Sequence, residues 1–418
     1  MPKRNLSLAK VEDLARRALE GSGTRSESAA SLARAVAAAE RDGIASHGLV
    51  YVPVYCEHVQ CGKVIGNAVP RVEQPSSSAV VVDAGSGFAH PAIDSGFEQL
   101  IPLAREAGIA GLAIRNSYNC GVLGYHVERL ATQGLVGLGF TNAPASIAPA
   151  GGVTPVVGTN PFALGVPDGD SGAAFVIDQS ASVIAKSEIM MHARAGKPIP
   201  EGWALDADGN PTTDAEVALK GSMAPSGGYK GFGVGLMVET FAAALAGATL
   251  GKDASPFAGP DGGPPKTGQF FIAISPEGFS GNGFASRIQD LTKAISAQPN
   301  ARLPGSRRQD QRPIHDSDGV DVDDNLVCED AGVPVIAAAQ HVPPGDEAVP
   351  KRVACRLTAA RSSPTNAAGR ASGRRSTTCS EPRARSWTTR RRPVRRVGRL
   401  PSLSGAACSG ASTRRASN

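Results

Sequence analysis

A serine–histidine pair in a loop is the feature of this sequence best suited to proton transfer. Ser46-His47-Gly48 follows a helical stretch that Gly43 closes, and a loop there can project a side chain into a cleft. Histidine exchanges a proton near neutral pH, so His47 is a candidate general acid or base. A single histidine is more often a surface or core residue; His58, for example, is predicted to lie at the surface. The assignment of His47 therefore needs support from other residues.

Two glycine-rich segments have the composition of ligand-binding loops. Gly158-Thr159-Asn160-Pro161 allows the backbone to approach a ligand closely. Gly227-Gly228-Tyr229-Lys230-Gly231 precedes a long apolar stretch, where the N–H groups of a helix start and Lys230 together favour an anion. Each segment considered alone has an alternative interpretation. The first could be an ordinary loop, and the second a flexible entry into a helix.

Motifs for several other chemistries are absent from the sequence. There is no GxxxxGK[ST] and no GxGxxG; in the nearest match, Gly85-Ser86-Gly87, His90 occupies the position of the third glycine. The seven cysteines form no CxxC pair and no HExxH occurs, so we predict no metal site. These observations disfavour a Rossmann cofactor site and favour a reduced, cytoplasmic setting.

Charge is distributed unevenly along the chain. The net charge is +5, yet residues 351–418 hold 16 Arg, one Lys and one acid, and the preceding residues are acidic overall. This basic end has no Ile, Phe or Tyr, so we predict that it is disordered. Trp387 is its one aromatic residue, which gives little for bases to stack on. Nucleic-acid binding by the folded part is not expected.

Hydrophobic periodicity predicts an α/β (α+β) fold with a helical N-terminal subdomain. Helices are expected near residues 8–19 and 28–42, with Ser26 or Ser28 as N-cap of the second, and a strand over residues 79–83. No apolar run is long enough to span a membrane, no signal peptide is expected, and residues 235–251 are predicted to form a buried helix.

We divide the chain into three parts. Residues 1–75 form the helical subdomain, with 276–308 packing back on it, and residues 76–275 form the cofactor- and substrate-binding domain. Residues 309–418 are predicted to be a disordered tail, because the hydrophobic periodicity stops near residue 308. Their composition is typical of a frameshift product; a genuine basic tail is the alternative.

Seven short segments also occur in a specific order between residues 5 and 308. They are Ser46-His47-Gly48, Asn116-Ser117, Phe140-Thr141-Asn142, Gly158-Thr159-Asn160-Pro161, Asp178-Gln179-Ser180, Pro211-Thr212-Thr213-Asp214 and Gly227-Gly228-Tyr229-Lys230-Gly231. This order resembles the type-2 malate/L-lactate/sulfolactate dehydrogenase family, which includes ureidoglycolate dehydrogenases and cyclic imino acid reductases. The resemblance implies a non-Rossmann nicotinamide-binding fold with a mostly antiparallel sheet, NAD or NADP as cofactor, and a homodimer.

The resemblance also implies roles for individual residues. His47 corresponds to the proton donor, Ser46 to its relay partner and Glu188 to an acidic residue that completes the relay. Thr159 corresponds to a substrate contact. The implied cofactor contacts are Cys120, Gly121, Val122, Leu123, Gly124, Ile177, Asp178, Gln179, Lys230 and Arg307.

Two positions depart from the family pattern. Tyr51 stands where many relatives carry an arginine that pairs with the substrate carboxylate, and Asn119 stands where many carry a histidine. Tyr51 is kept as a candidate substrate contact, but another cation must then hold the anion, with Arg115 and Lys230 as candidates. The segment around Asn119 is similar to that of the sulfolactate-type members, which implies a small, doubly anionic substrate.

The predicted function is therefore hydride transfer between a nicotinamide cofactor and C2 of a small 2-hydroxy or 2-oxo acid similar to sulfolactate or malate. A cyclic imino acid reductase is the alternative within enzymes. A protein that binds an anionic partner through its basic tail is the alternative from another class.

Overall fold

A seven-stranded sheet lies at the centre of the protein. The computed structural model describes residues 2–330 and 333–336, and these belong to one compact unit. The helices are α1 (Leu8–Gly21), α2 (Ser26–Arg41), α3 (Val52–Gln60), α4 (Ala89–Ala107), α5 (Leu123–Ala131), α6 (Lys186–Arg194), α7 (Ala215–Lys220), α8 (Tyr229–Glu239), α9 (Glu277–Ser280), α10 (Phe284–Ser296) and α11 (Ser306–Asp318). The strands are β1 (Lys3–Leu6), β2 (Arg71–Ser76), β3 (Ala79–Asp83), β4 (Ile109–Ser117), β5 (Val136–Thr141), β6 (Phe162–Pro167), β7 (Ala173–Gln179), β8 (Ala204–Leu205), β9 (Pro211–Thr212), β10 (Ser222–Met223), β11 (Thr267–Ile274), β12 (Val320–Asp323), β13 (Val327–Asp330) and β14 (Val333–Ile336).

The topology of the central sheet excludes a Rossmann arrangement. Its strand order is β2-β3-β4-β11-β5-β6-β7, and within it only the β3–β4 pair is parallel. A Rossmann sheet is mostly parallel and binds its cofactor at a reversal of strand order. The predicted mixed α/β fold with a mostly antiparallel sheet is confirmed.

Alternation along β11 places its side chains in two separate cores. Phe271 and Ala273 pack in the core that contains α4 and α5. Phe270 and Ile272 pack with Val238 of α8 and Ala242 of the π-helix Thr240–Leu245. Helices therefore cover the sheet on both faces.

The N-terminal helices form their own core, as the periodicity predicts. Val11, Leu14 and Leu19 of α1 are fully buried, and the Ser7 hydroxyl accepts a hydrogen bond from the Lys10 N–H at the start of the helix. The predicted N-cap of α2 is wrong: Arg25 occupies it, and the two serines lie inside the helix. A third core lies around the small sheet β10-β8-β9.

The predicted disorder is wrong for residues 309–330. Helix α11 continues through residue 308 to Asp318, and β12 pairs with β1, with Asn5 opposite Asp321. Helix α10 contacts β7. Helix α11, which begins at Ser306, contacts α2. The basic segment 351–418 lies outside the described residues, and so does most of the proposed frameshifted region.

The helix predicted over residues 235–251 lies earlier in the chain and is more exposed than expected. It begins at Tyr229 and becomes a π-helix at Thr240, and Leu236, Met237 and Leu245 are exposed by 46%, 39% and 59%. Among the described residues, no helix combines the length and apolar character that crossing a bilayer requires.

Candidate active site

The loop after α2 holds Ser46 and His47 close together. Gly43 takes a positive φ of 70° just after the helix, and residues Ala45–His47 form one 3-10 turn. Ser46 Oγ lies 3.1 Å from His47 Nδ1. Burial lowers the pKa of His47 below its ordinary value, because the charged imidazolium loses solvation. The predicted Ser–His pair is therefore present as a hydrogen-bonded unit.

A buried glutamate under this loop fixes its course. Glu40 Oε1 accepts the Leu49 N–H at 2.7 Å, and a Cβ at residue 48 would lie 2.1 Å from the same oxygen. Gly48 is required because no side chain fits there. Burial raises the pKa of the Glu40 carboxyl. Sequence reasoning missed Glu40, which reads as one more polar residue of an alanine-rich helix.

The two residues that depart from the family pattern contact each other. Asn119 Nδ2 donates to Tyr51 Oη at 3.4 Å, and Asn119 Oδ1 accepts from Tyr55 Oη at 3.2 Å. The Tyr51 ring lies nearly parallel to the His47 ring, with 6.3 Å between their centroids. Burial raises the pKa of both tyrosines. Next to His47 the protein therefore presents neutral hydrogen-bonding groups.

Two of the predicted cofactor segments meet at the start of α5. Asp178 Oδ2 accepts the Gly124 N–H at 2.8 Å, and a Cβ at residue 124 would lie 2.9 Å from that oxygen. Gly121 has φ 65°. Burial raises the pKa of Asp178. Gly121 forms the turn before α5, and the absence of a side chain at Gly124 leaves room for the Asp178 carboxylate, so this helix N-terminus is a candidate site for a dinucleotide.

Within this segment the cysteine side chain is unsuited to direct contact with a cofactor. Cys120 is buried, and burial raises the pKa of its thiol to about 12. Its carbonyl oxygen lies 2.9 Å from His126 Nε2. His126 and His58 are both fully buried, so the predicted surface position of His58 is wrong.

The structure places Arg308 beside this segment, next in the sequence to the predicted Arg307. Arg307 is exposed, whereas Arg308 lines a small cavity with Gly124 and Gly305. The charge of Arg308 also opposes the upward shift of the Asp178 pKa. Because the two arginines are consecutive, the sequence alone could not show which of them lies near the cofactor segment.

Backbone hydrogen bonds join the remaining candidate loops. The Ala181 N–H donates to Thr159 O at 2.7 Å, and the Ser226 N–H donates to Ala181 O at 2.8 Å. These bonds connect the predicted substrate contact to the glycine loop that precedes Lys230. Gly227 and Gly228 have φ 68° and 65°, so the turn into α8 requires glycine.

Two predicted residues have no contact that supports their roles. The carboxylate of Glu188, in the first turn of α6, contacts neither Ser46 nor His47 in the described part of the chain. Lys230 is exposed at the start of α8 and forms no ion pair with a described residue. Arg115, a candidate anion holder, lies 3.5 Å from Asp83 and is thus committed to a carboxylate. Over residues 2–330, no cluster of His, Cys, Asp or Glu is arranged to hold a metal ion.

Comparison with known sequences identifies relatives of two activities. Residues 6–329 match the malate/L-lactate dehydrogenase family. The (2R)-3-sulfolactate dehydrogenase (NADP(+)) of Chromohalobacter salexigens is 46% identical over 305 residues, 73% of this chain and 91% of the relative. The Δ1-pyrroline-2-carboxylate reductase of Ancylobacter novellus is 40% identical over 327 residues, 78% of this chain and 96% of the relative.

Comparison with solved structures also identifies a cyclic imino acid reductase and a sulfolactate dehydrogenase. The Δ1-piperideine-2-carboxylate reductase from Pseudomonas syringae superposes with a TM-score of 0.73 at 37% identity, covering 77% of this chain and 96% of that one. The sulfolactate dehydrogenase from Methanocaldococcus jannaschii superposes with a TM-score of 0.70 at 30% identity, covering 77% and 94%. The resemblance carried by the seven ordered segments is confirmed, and so is the enzyme class. The chain belongs to the malate/L-lactate dehydrogenase family and is an NAD(P)-dependent oxidoreductase of small acids.

Proposed function

We propose that the protein interconverts a small, doubly anionic 2-hydroxy acid and its 2-oxo acid, with a sulfolactate- or malate-like compound as substrate. A bound nicotinamide dinucleotide supplies or accepts the hydride. The observation that carries the proposal is the hydrogen-bonded Ser46–His47 pair beside the Tyr51–Asn119 contact. The 46%-identical relative that acts on sulfolactate supports the substrate class.

His47 is the proposed proton donor and acceptor. When Ser46 donates to Nδ1, the proton of the neutral ring is on Nε2, which has no hydrogen-bond partner among the described residues. From there the imidazolium can protonate the carbonyl oxygen, and the neutral ring can take the proton back. Ser46 holds the ring and selects its tautomer. Glu188 completes the relay only if it approaches this pair, for which the described contacts give no support.

The cofactor segments have complementary roles in the proposal. The dinucleotide is proposed to bind at the start of α5, next to Gly121 and Gly124, where Arg308 and Lys230 supply positive charge for its phosphates. Asp178 fixes the start of α5 through the Gly124 N–H. Val122, Leu123, Ile177 and Gln179 flank these residues and stay proposed contacts, as does Arg307. Cys120 stays a proposed contact through its backbone alone, because its side chain is buried.

A cyclic imino acid reductase is the second candidate function. It is favoured by the 40%-identical reductase, and the same Ser46–His47 pair could protonate an imine nitrogen. Binding of an anionic partner through the basic end concerns residues outside the described part of the chain. The cytoplasmic location also stays a proposal, which the free thiols of Cys56, Cys61 and Cys120 support.

Steady-state assays with NADH and NADPH test the proposal. The substrates are 3-sulfopyruvate, oxaloacetate, pyruvate and the two cyclic imines pyrroline- and piperideine-2-carboxylate. We expect the largest kcat/KM with one of the two dianionic 2-oxo acids. A cyclic imine turned over about tenfold more efficiently, a difference of roughly 1.4 kcal/mol, would replace the proposal by the second candidate.

Lys230 should contribute to cofactor affinity. Lys230→Ala is expected to raise the Kd of the cofactor, with a larger increase at low ionic strength, because an exposed charge pair is weakened by salt. Fluorescence titration with NADPH at two salt concentrations measures it. Lys220→Ala, another lysine at a helix end, is the control. An unchanged Kd at low salt would remove Lys230 from the cofactor site.

The homodimer is proposed to form through the exposed face of α8 and the π-helix. Leu236, Met237 and Leu245 present apolar side chains there, and clustered exposed apolar residues mark association surfaces. Leu236→Lys should therefore convert a dimer into a monomer in sedimentation velocity, while Leu291→Lys on α10, equally exposed, should not. A wild-type monomer at micromolar concentration would contradict the proposal.

A further inference from the structure

Helix α11 carries an arginine that joins two elements of the active site. Arg312 Nε and Nη2 each lie 2.7 Å from a carboxylate oxygen of Asp42. Its Nη1 and Nη2 lie 2.5 and 2.7 Å from the carboxylate oxygens of Glu128. One guanidinium therefore bonds two carboxylates, each through two contacts, the geometry in which arginine binds carboxylates most strongly.

Each carboxylate lies next to a different candidate segment. Asp42 is the C-cap of α2, and the loop that begins after it leads directly to Ser46 and His47. Glu128 lies on α5, one turn beyond Gly124, whose N–H is bonded to Asp178. Arg312 thus connects the loop of the proposed proton donor to the helix that begins at the cofactor segment.

Further contacts hold α11 against the end of α2. His315 Nδ1 lies 2.6 Å from the Arg41 carbonyl oxygen. A Cβ at residue 43 would lie 2.9 Å from Gln311 Oε1, so α11 lies directly over the glycine that starts the loop. The docking of α11 and the course of the loop are coupled by this contact.

The Arg312 cluster is partly shielded from solvent. The side chains of Arg312, Asp42 and Glu128 are exposed by 20%, 10% and 17%. Hydrogen bonds and charge from Glu128 and Asp42 raise the pKa of Arg312 above its ordinary value. A lysine at this position would keep the positive charge, but its ammonium group cannot form bidentate hydrogen bonds with both carboxylates.

We propose that Arg312 is a positioning residue that keeps the Ser46–His47 loop aligned with the cofactor segment at the start of α5. The inference rests on the proposed role of His47 as proton donor. Arg312 also lines the small cavity of Gly124 and Arg308, but its guanidinium is bound by the carboxylates of Asp42 and Glu128, so the effect proposed for it is on alignment. Misplacement of reacting groups by about 1 Å can cost as much as about 10²-fold in rate.

The experiment compares Arg312→Lys and Arg312→Met with Arg16→Met in the full-length protein. Arg16 pairs with Glu20 inside α1. Its removal therefore breaks an arginine–glutamate contact within a single helix, whereas Arg312 connects separate elements. We expect both Arg312 variants to lose about 10- to 100-fold in kcat, with the Kd of NADPH changed less than about threefold. Arg16→Met should retain the wild-type kcat.

Hydrogen–deuterium exchange provides a readout that does not depend on activity. Arg312→Met should exchange faster over residues 42–49 and 120–128, while segments in the N-terminal core such as residues 10–19 stay unchanged. Faster exchange over all segments would show general unfolding and overturn the inference, as would wild-type exchange in both site segments. If the wild-type protein reduces none of the tested acids or imines, the proposed function fails, while the exchange result still decides the role of Arg312.

Discussion

His47→Ala should lower kcat by about 10²- to 10⁴-fold, the usual contribution of general acid–base catalysis. The Kd of the nicotinamide cofactor should be nearly unchanged, because the proposed cofactor segments lie on α5, β7 and α8 and keep their own hydrogen bonds. Stopped-flow or steady-state kinetics with NADPH fluorescence titration measure the two quantities separately. Turnover within about threefold of wild type would exclude His47 as the proton donor.

The dependence of the wild-type reaction rate on pH provides a second test of the role of His47. In the proposed mechanism reduction needs the imidazolium form of His47, and burial lowers the pKa of this side chain below its ordinary value of 6.5. The rate of reduction should therefore decline as pH rises through that lowered pKa, and the rate of oxidation should rise over the same interval. This limb should vanish in His47→Ala but persist in His192→Ala, whose Nδ1 lies 2.7 Å from the Pro198 carbonyl oxygen.

Glu239→Ala should lower the free energy of unfolding by about 2 to 4 kcal/mol. Glu239 is buried, with its two oxygens accepting the Asn160 amide at 2.8 Å and the Gly251 N–H at 2.6 Å. Its removal leaves buried donors without partners. Asn160 has φ 39° and adjoins Thr159, so KM for the acid should rise as well.

Urea unfolding and steady-state kinetics measure both effects of that substitution. Glu239→Gln keeps the shape and one acceptor oxygen, so it should lose less stability than Glu239→Ala. Glu277→Ala, at the start of the short helix α9, is the exposed control. If Glu239→Ala unfolds at the wild-type urea concentration, the buried network contributes nothing measurable to the fold.

Local patterns in the sequence predicted individual elements well. The strand Ala79–Asp83 is β-branched and short, and it forms as β3 with the predicted bounds. The α1 periodicity likewise matches its buried residues. Such patterns show which side chains of a segment face the core, because apolar residues recur with the period of a strand or of a helix.

Contacts between distant segments were not predictable in the same way. Glu40 and Arg312 are ordinary polar residues in the sequence, and the hydrogen bonds that distinguish them are made with partners elsewhere in the chain. Asn119 was noticed through the resemblance, but its contact with Tyr51 was not predicted. Because Arg312 and its neighbours are polar and charged, residues 309–318 were predicted to be disordered. The helix exists because its charges are paired against α2 and α5, which hydrophobic periodicity cannot register.

The position of β11 has a consequence for synthesis of the protein. In the strand order β2-β3-β4-β11-β5-β6-β7, this late segment joins two three-stranded halves that are made earlier. Until residues 267–274 leave the ribosome, β4 and β5 each present an unpaired edge, the kind of surface that recruits other chains. We therefore expect nascent chains that stop before residue 267 to depend on chaperones, and translational pauses just upstream of it to lower the yield of folded enzyme.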